Sequence, residues 1–143
     1  MSKFILDCSI SASWCLKDES NDEASKILDR LGKDEALVPA IWPVEMANVL
    51  VVAERRGRVS AADAARAVEL LLSLPIEAEK GGVENMVRIS VLAREHKLTA
   101  YDACYLELAQ RTGLPIATLD HALRAAAHEC GVPLFKATKG RNQ

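Results

Sequence analysis

The sequence predicts an α/β domain built on a parallel sheet with helices on both faces. Three observations lead there. Short apolar runs recur along the chain, too brief for helices and nearly continuous, as strands buried on both sides are. Longer segments with apolar residues at helical spacing separate those runs. The chain has 143 residues, 50% of them hydrophobic but only 4% aromatic. That suffices for one core of Ala, Leu, Val and Ile without a disulfide or structural zinc.

The elements follow in order. Phe4-Ile5-Leu6 is a buried strand ending at Asp7. A helical segment runs through Ser11 to Leu16, and a second from Asp22 to Leu31 is stopped by Gly32. Ala36 to Pro39 is the second strand. Trp42-Pro43 opens a long helix, with Pro43 in its first turn and Gly57 as the left-handed stop after Arg56. Ser60 caps the next helix, whose Ala64, Ala67, Val68, Leu71 and Leu72 recur at helical spacing. Pro75 to Ala78 is a third strand. Helices cover Glu84 to His96 and Ala100 to Arg111, the latter ended by Gly113. Ile116 to Leu119 is a strand stopping at Asp120, a helix follows from His121 to Glu129, and Val132 to Phe135 is the last strand. Residues 1–135 read as a single domain and 136–143 as a basic, flexible tail.

A formal net charge of −2 argues against a protein that coats nucleic acid through bulk electrostatics. The four cysteines, Cys8, Cys15, Cys104 and Cys130, form no C-x-x-C pair, and no His stands at zinc-ligand spacing from one. They read as reduced, buried thiols of a cytoplasmic protein. The N-terminal apolar run is too short for a signal peptide, and no stretch approaches the ~18 apolar residues of a membrane span. His96, His121 and His128 read as surface residues.

Four acids stand apart. In an open parallel sheet, ligands bind outside the carboxyl ends of the strands, near the switch in strand order. Asp7 and Asp120 both end predicted strands. Asp102 shares the apolar stripe of its helix with Tyr105, Leu106 and Ala109, while Glu107, Gln110 and Arg111 take the opposite face. Glu45 and Asn48 form a polar i, i+3 pair in an otherwise apolar helix, where they need partners to offset desolvation. Each acid also has a local explanation. Asp7 and Asp120 can cap the helices after them, Glu45 suits the positive end of a helix dipole, and Asp102 can complete a capping box with Thr99. If the four converge, their mutual repulsion calls for a divalent cation, and all-oxygen ligation selects Mg²⁺ or Mn²⁺. Such a site suits attack of a metal-activated water on a phosphodiester.

The arrangement resembles PIN-domain ribonucleases, specifically the VapC-type toxins of toxin–antitoxin pairs. Asp7-Cys8-Ser9 matches the first motif, Glu45 with Asn48 the second, Tyr101-Asp102-Ala103-Cys104-Tyr105 the third, and Thr118-Leu119-Asp120 the fourth. The resemblance spans essentially the whole chain. It implies a PIN-like three-layer fold with strand order 3-2-1-4-5, and Mg²⁺ or Mn²⁺ bound by the catalytic acids Asp7, Glu45, Asp102 and Asp120. Ser9, Asn48 and Thr118 would support the acids or the substrate. It further implies an RNA substrate, with tRNA a frequent target, a homodimer, and inhibition by a cognate VapB-type antitoxin.

The alternative is a catalytically silent PIN-like module that binds a protein partner. A response receiver fits poorly, since it wants an acidic pair after the first strand, an acceptor Asp after the third, and a late Lys. A phosphatase with a nucleophilic Asp-x-Asp is disfavoured because Ser9 holds the second Asp position. The helices over 22–31 and 60–74 serve as core or as dimer or antitoxin contacts, and Leu70, Leu71, Leu72 and Leu74 give the second more Leu than one buried stripe requires. Arg55, Arg56 and Arg58 are either dipole-matched cations at a helix end or phosphate contacts.

Overall fold

The computed structural model describes residues 2–137. Strand β1 (Lys3–Leu6) is followed by α1 (Cys8–Cys15), a 3₁₀ turn (Lys17–Glu19) and α2 (Asp22–Arg30). Then come β2 (Glu35–Val38), α3 (Trp42–Arg55), α4 (Ala61–Ser73) and β3 (Ile76–Ala78). A second 3₁₀ turn (Val83–Asn85) leads to α5 (Met86–His96), α6 (Ala100–Thr112), β4 (Ile116–Ala117) and α7 (His121–Glu129). Ser60 and Asp63 form the reciprocal capping box that starts α4, and Gly57 and Gly113 take positive φ after α3 and α6.

The four strands are parallel in the order β3-β2-β1-β4. Phe4, Ile5 and Leu6 are all fully buried. Because successive strand side chains point to opposite faces, that run requires cover on both sides of β1. The chain builds outward from β1 to β3, then returns past β1 to place β4 on its other flank. The switch in strand order therefore lies between β1 and β4.

The expected fifth strand, Val132 to Phe135, is not formed. It is reduced to one parallel bridge between Ile116 and Leu134, with the Ile116 amide donating to the Pro133 carbonyl at 3.0 Å and the Phe135 amide to the Ile116 carbonyl at 2.8 Å. The position is the predicted one, beside β4, but β4 is only two residues long and Pro133 has no amide to donate. Phe135 instead stacks on Phe4, ring centroids 4.1 Å apart. Of the tail expected over 136–143, residues 138–143 lie outside the described residues.

Further differences concern burial. Glu107, expected on the outer face of α6, is 6% exposed and bonded to Arg111 by two contacts of 2.7 and 3.0 Å. The four cysteines are free but only half-buried. His121 and His128 are exposed as expected, whereas the His96 side chain is only 14% exposed. Arg58 pairs with Asp18 and Glu19, so its charge ties the first 3₁₀ turn to the α3–α4 connection. Val44 and Val51 of α3 and Val68 and Leu72 of α4 leave an apolar surface exposed. Among the described residues no helix is long and apolar enough to cross a membrane.

Candidate functional site

The four acids occupy equivalent places in the fold. Asp7 is the N-cap of α1, Glu45 lies in the first turn of α3, Asp102 in that of α6, and Asp120 is the N-cap of α7. The helices α1, α3 and α7 leave the carboxyl ends of β1, β2 and β4, and α6 runs back into β4 through the Gly113 turn. All four N-termini therefore fall at the carboxyl edge of the sheet, where helix dipoles favour negative charge.

Asp7 is the centre of the group, 4% exposed. Its amide donates to the Ala117 carbonyl at 2.9 Å, which seats it against the end of β4. Its Oδ2 accepts from the Ser9 hydroxyl at 2.5 Å and from the Thr118 hydroxyl at 2.7 Å. A weaker bond comes from the Ser9 amide at 3.3 Å. Ser9 Oγ and Thr118 Oγ1 accept in turn from the Leu119 amide at 2.9 Å and the Asp120 amide at 3.0 Å. Those bonds pull residues 118–120 out of the ladder, which ends β4 at Ala117 rather than at Leu119. Among the described residues no donor reaches Asp7 Oδ1.

Glu45 is half-buried, and its Oε1 accepts from the Tyr105 hydroxyl at 2.5 Å. Asp102 is half-buried, and its amide donates to Thr99 Oγ1 at 3.1 Å. The capping-box explanation of Asp102 holds only in that direction, and its carboxylate makes no return bond to the Thr99 amide. Asp120 Oδ1 accepts from the Ala122 and Leu123 amides, at 2.8 and 3.2 Å. Asn48 is exposed one turn beyond Glu45 and makes no hydrogen bond with the other site residues.

The acids sense one another. Burial raises the pKa of Asp7 against the lowering by Ser9 and Thr118, with Asp120 adding to the rise. Burial also raises Glu45, against the Tyr105 hydroxyl, with Asp7 and Asp102 contributing. Asp102 is raised by burial and then by Asp120 and Asp7, against a lowering by the Thr99 side chain. None of the four is ion-paired to Lys, Arg or His among the described residues.

Among the described residues, no three His, Cys, Asp or Glu side chains stand close enough together to hold one ion. The local bonds explain the spacing, since Glu45 is turned to Tyr105 and Asp120 to the amides of α7. The donor chemistry nevertheless fits a hard divalent cation. It is all oxygen, and its charges repel without a counter-ion.

Two residues support the site in roles that local sequence does not announce. Tyr105 stands in the third motif and in the buried stripe of its helix, but its bond to Glu45 spans 60 residues. Arg124 donates from Nε to the Thr118 carbonyl at 2.8 Å and from Nη2 to both Glu23 oxygens at 2.9 and 3.0 Å. It fixes the end of β4 to α2, and nothing in the local sequence signals that role.

Fold and site together define an open parallel α/β domain with an acidic centre at the topological switch point. The chain belongs to the PIN-domain family, whose model matches residues 4–129. It is 29% identical over 124 residues to Ribonuclease VapC3 of Mycobacterium tuberculosis (strain ATCC 25618 / H37Rv), covering 85% of this chain and 88% of that one. Among solved structures it resembles PAE2754 from Pyrobaculum aerophilum, with a TM-score of 0.66 and 26% identity over 88% of this chain and 87% of the other. It also resembles VapBC2 from Rickettsia felis bound to a DNA fragment from their promoter, with a TM-score of 0.69 and 13% identity over 94% and 98%.

Proposed function

We propose that the protein is a VapC-type endoribonuclease toxin, dependent on Mg²⁺ or Mn²⁺ and neutralised by a cognate VapB-type antitoxin. The observation that carries this reading is the placement of Asp7, Glu45, Asp102 and Asp120 at four helix N-termini on one edge of the sheet, without a cationic partner among the described residues. The relationship to Ribonuclease VapC3 supports RNA as substrate, and the likeness to VapBC2 supports an antitoxin.

Asp7, Glu45, Asp102 and Asp120 would supply the oxygen ligands of the ion after their side chains draw closer than the spacing seen here. When bound, it would activate water for attack on the phosphodiester and offset the charge developing on the phosphate. The residues of the chain prepare for that in distinct ways. Ser9 and Thr118 fix Asp7 through Oδ2, and its other oxygen would remain to meet a cation. Tyr105 orients Glu45 through Oε1, leaving Oε2. Asn48, exposed beside Glu45, is placed to meet substrate. Transfer RNA is the substrate class to examine first.

The exposed apolar residues of α4 suit a homodimer or antitoxin contact, and the toxin would act in the cytoplasm. The deciding experiment is cleavage of a panel of structured RNAs by antitoxin-free protein, with Mg²⁺, with Mn²⁺ and with a chelator. Cleavage should require metal and disappear in folded Asp7→Asn and Asp102→Asn. Full activity in either variant overturns the assignment, and antitoxin binding without RNA turnover supports the silent module instead.

A further inference from the structure

The C-termini of α5 and α7 meet at a second polar cluster, at the far end of α7 from Asp120. Cys130 Sγ lies 3.2 Å from His96 Nε2, and His96 Nδ1 lies 3.1 Å from Glu129 Oε1. With a neutral imidazole both contacts are satisfied. Nδ1–H donates to the Glu129 carboxylate, which leaves the Nε2 lone pair to accept from the thiol. Cys130 lines a cavity of about 370 Å³ together with Arg88, Gln110, Gly113, Gly131 and Pro133. Arg88 donates to Gln110 Oε1 at 2.6 Å, which holds its guanidinium at the cavity wall. Nothing in the local sequence joins Cys130 to His96, 34 residues away.

We propose that Cys130, His96 and Glu129 form a thiol-exchange site for low-molecular-weight disulfides bearing carboxylates, with Arg88 attracting the acid. A nucleophile, a base within hydrogen-bond reach and a third group orienting the base are the parts such chemistry needs. Burial and the carboxylates of Glu129 and Glu95 raise the thiol's pKa, against a smaller lowering by Arg88. The resting group at neutral pH is thus the thiol, and reaction proceeds through His96.

The Sγ proton passes to Nε2 while Sγ attacks one sulfur of the disulfide. The reagent's S–S bond breaks as the new S–S bond forms. The departing thiolate then takes the proton from His96, and Glu129 stabilises the intervening imidazolium. Cys130 is oxidised to a mixed disulfide, and the released half of the reagent is reduced to a thiol.

The test uses oxidised glutathione and the uncharged 2-hydroxyethyl disulfide on the purified protein. Acid quenching and mass spectrometry locate and time each mixed disulfide. Cys130 should react at least about tenfold faster than Cys8, Cys15 or Cys104, and His96→Asn should slow it about tenfold with both reagents. Glu129→Gln, at an exposed side chain, should slow it about threefold and keeps the test open if His96→Asn does not fold. Arg88→Gln should slow glutathione alone. Equal reactivity of the four thiols, or a wild-type rate in His96→Asn or Glu129→Gln, overturns the relay. A wild-type glutathione rate in Arg88→Gln overturns the acidic-ligand assignment. No readout involves RNA cleavage, so the outcome is separable from the proposed nuclease function.

Discussion

The Thr118 hydroxyl donates to Asp7 Oδ2 at 2.7 Å across 111 residues of sequence, joining the end of β4 to the end of β1. Thr118 is 2% exposed and its oxygen also accepts the Asp120 amide. One hydroxyl thus orients the central carboxylate and starts the turn into α7. Thr118→Val keeps the shape and removes both bonds. It should lower stability by about 1–3 kcal/mol, the range for a lost bond to a charged group and an orphaned amide. Urea denaturation at neutral pH measures this, and a variant as stable as wild type would contradict the role.

Asp7 makes stability depend on pH in an unusual sense. Its folded pKa lies above the ordinary value of 3.8, chiefly through burial. A carboxyl raised in the folded state favours folding below its unfolded value, and that contribution is lost as pH rises through the folded one. Glu45 and Asp102 act in the same sense. Paired Asp18 and Asp63 are lowered and act oppositely, so only a comparison with a variant isolates the effect. Asp7→Asn keeps an oxygen for Ser9 and Thr118. At pH 7 it should melt about 3 °C above wild type, with the gap closing toward pH 4. Calorimetry across that range decides it, and a gap independent of pH would refute the electrostatic account.

The same carboxylates predict a metal response. An ion that binds the folded site alone stabilises it by mass action. Millimolar Mg²⁺ or Mn²⁺ should raise the wild-type melting temperature by a few degrees and leave that of Asp7→Asn unchanged. An equal shift in both proteins would place the ion elsewhere.

The strand order came from the family resemblance alone, whereas the strands themselves and the places of the four acids were legible because they rest on local signals. These are apolar runs, caps, and acids at the ends of both. Long-range pairing was not legible. Glu107 lies four residues from Arg111, and their spacing on the helix is plain. Its burial depends on Arg111 also binding Glu79, 32 residues away, which helical periodicity does not register. The fifth strand failed similarly. Leu134 reaches its predicted neighbour, but Thr118 and Leu119 are drawn toward Ser9 and Asp7, leaving β4 too short to pair with it. Asn48 sits on the expected turn but faces solvent, since no donor or acceptor of the other acids reaches it.

Tyr105 acts on Glu45 through one atom. Its ring is fully buried and its hydroxyl bond opposes the upward shift of the Glu45 pKa. Tyr105→Phe keeps the packing and removes the donor, so the Glu45 pKa should rise further. If Glu45 must be ionised for RNA cleavage, the acidic limb of the pH–rate profile moves to higher pH, and kcat/KM falls most on that limb. Stability should change by only about 1 kcal/mol. A profile superimposable on wild type would remove Tyr105 from the positioning of Glu45.

Arg111 is the counter-ion of a carboxylate that the fold has buried. Its Nε and Nη2 meet Glu107 at 2.7 and 3.0 Å, and its Nη1 meets Glu79 at 2.8 Å. The Glu107 side chain is 7% exposed and that of Arg111 39%. Arg111→Met keeps the aliphatic stem but leaves the Glu107 charge without its partner. The cost should be about 2 kcal/mol, below that of breaking a fully buried pair because Arg111 is partly screened by solvent. Adding Glu107→Gln removes the orphaned charge and should restore at least half of the loss. Arg66→Met, which breaks the exposed pair with Asp63, serves as the surface control and should leave the melting temperature unchanged. A double variant no more stable than Arg111→Met alone would show that Arg111 acts through packing rather than through the charge of Glu107.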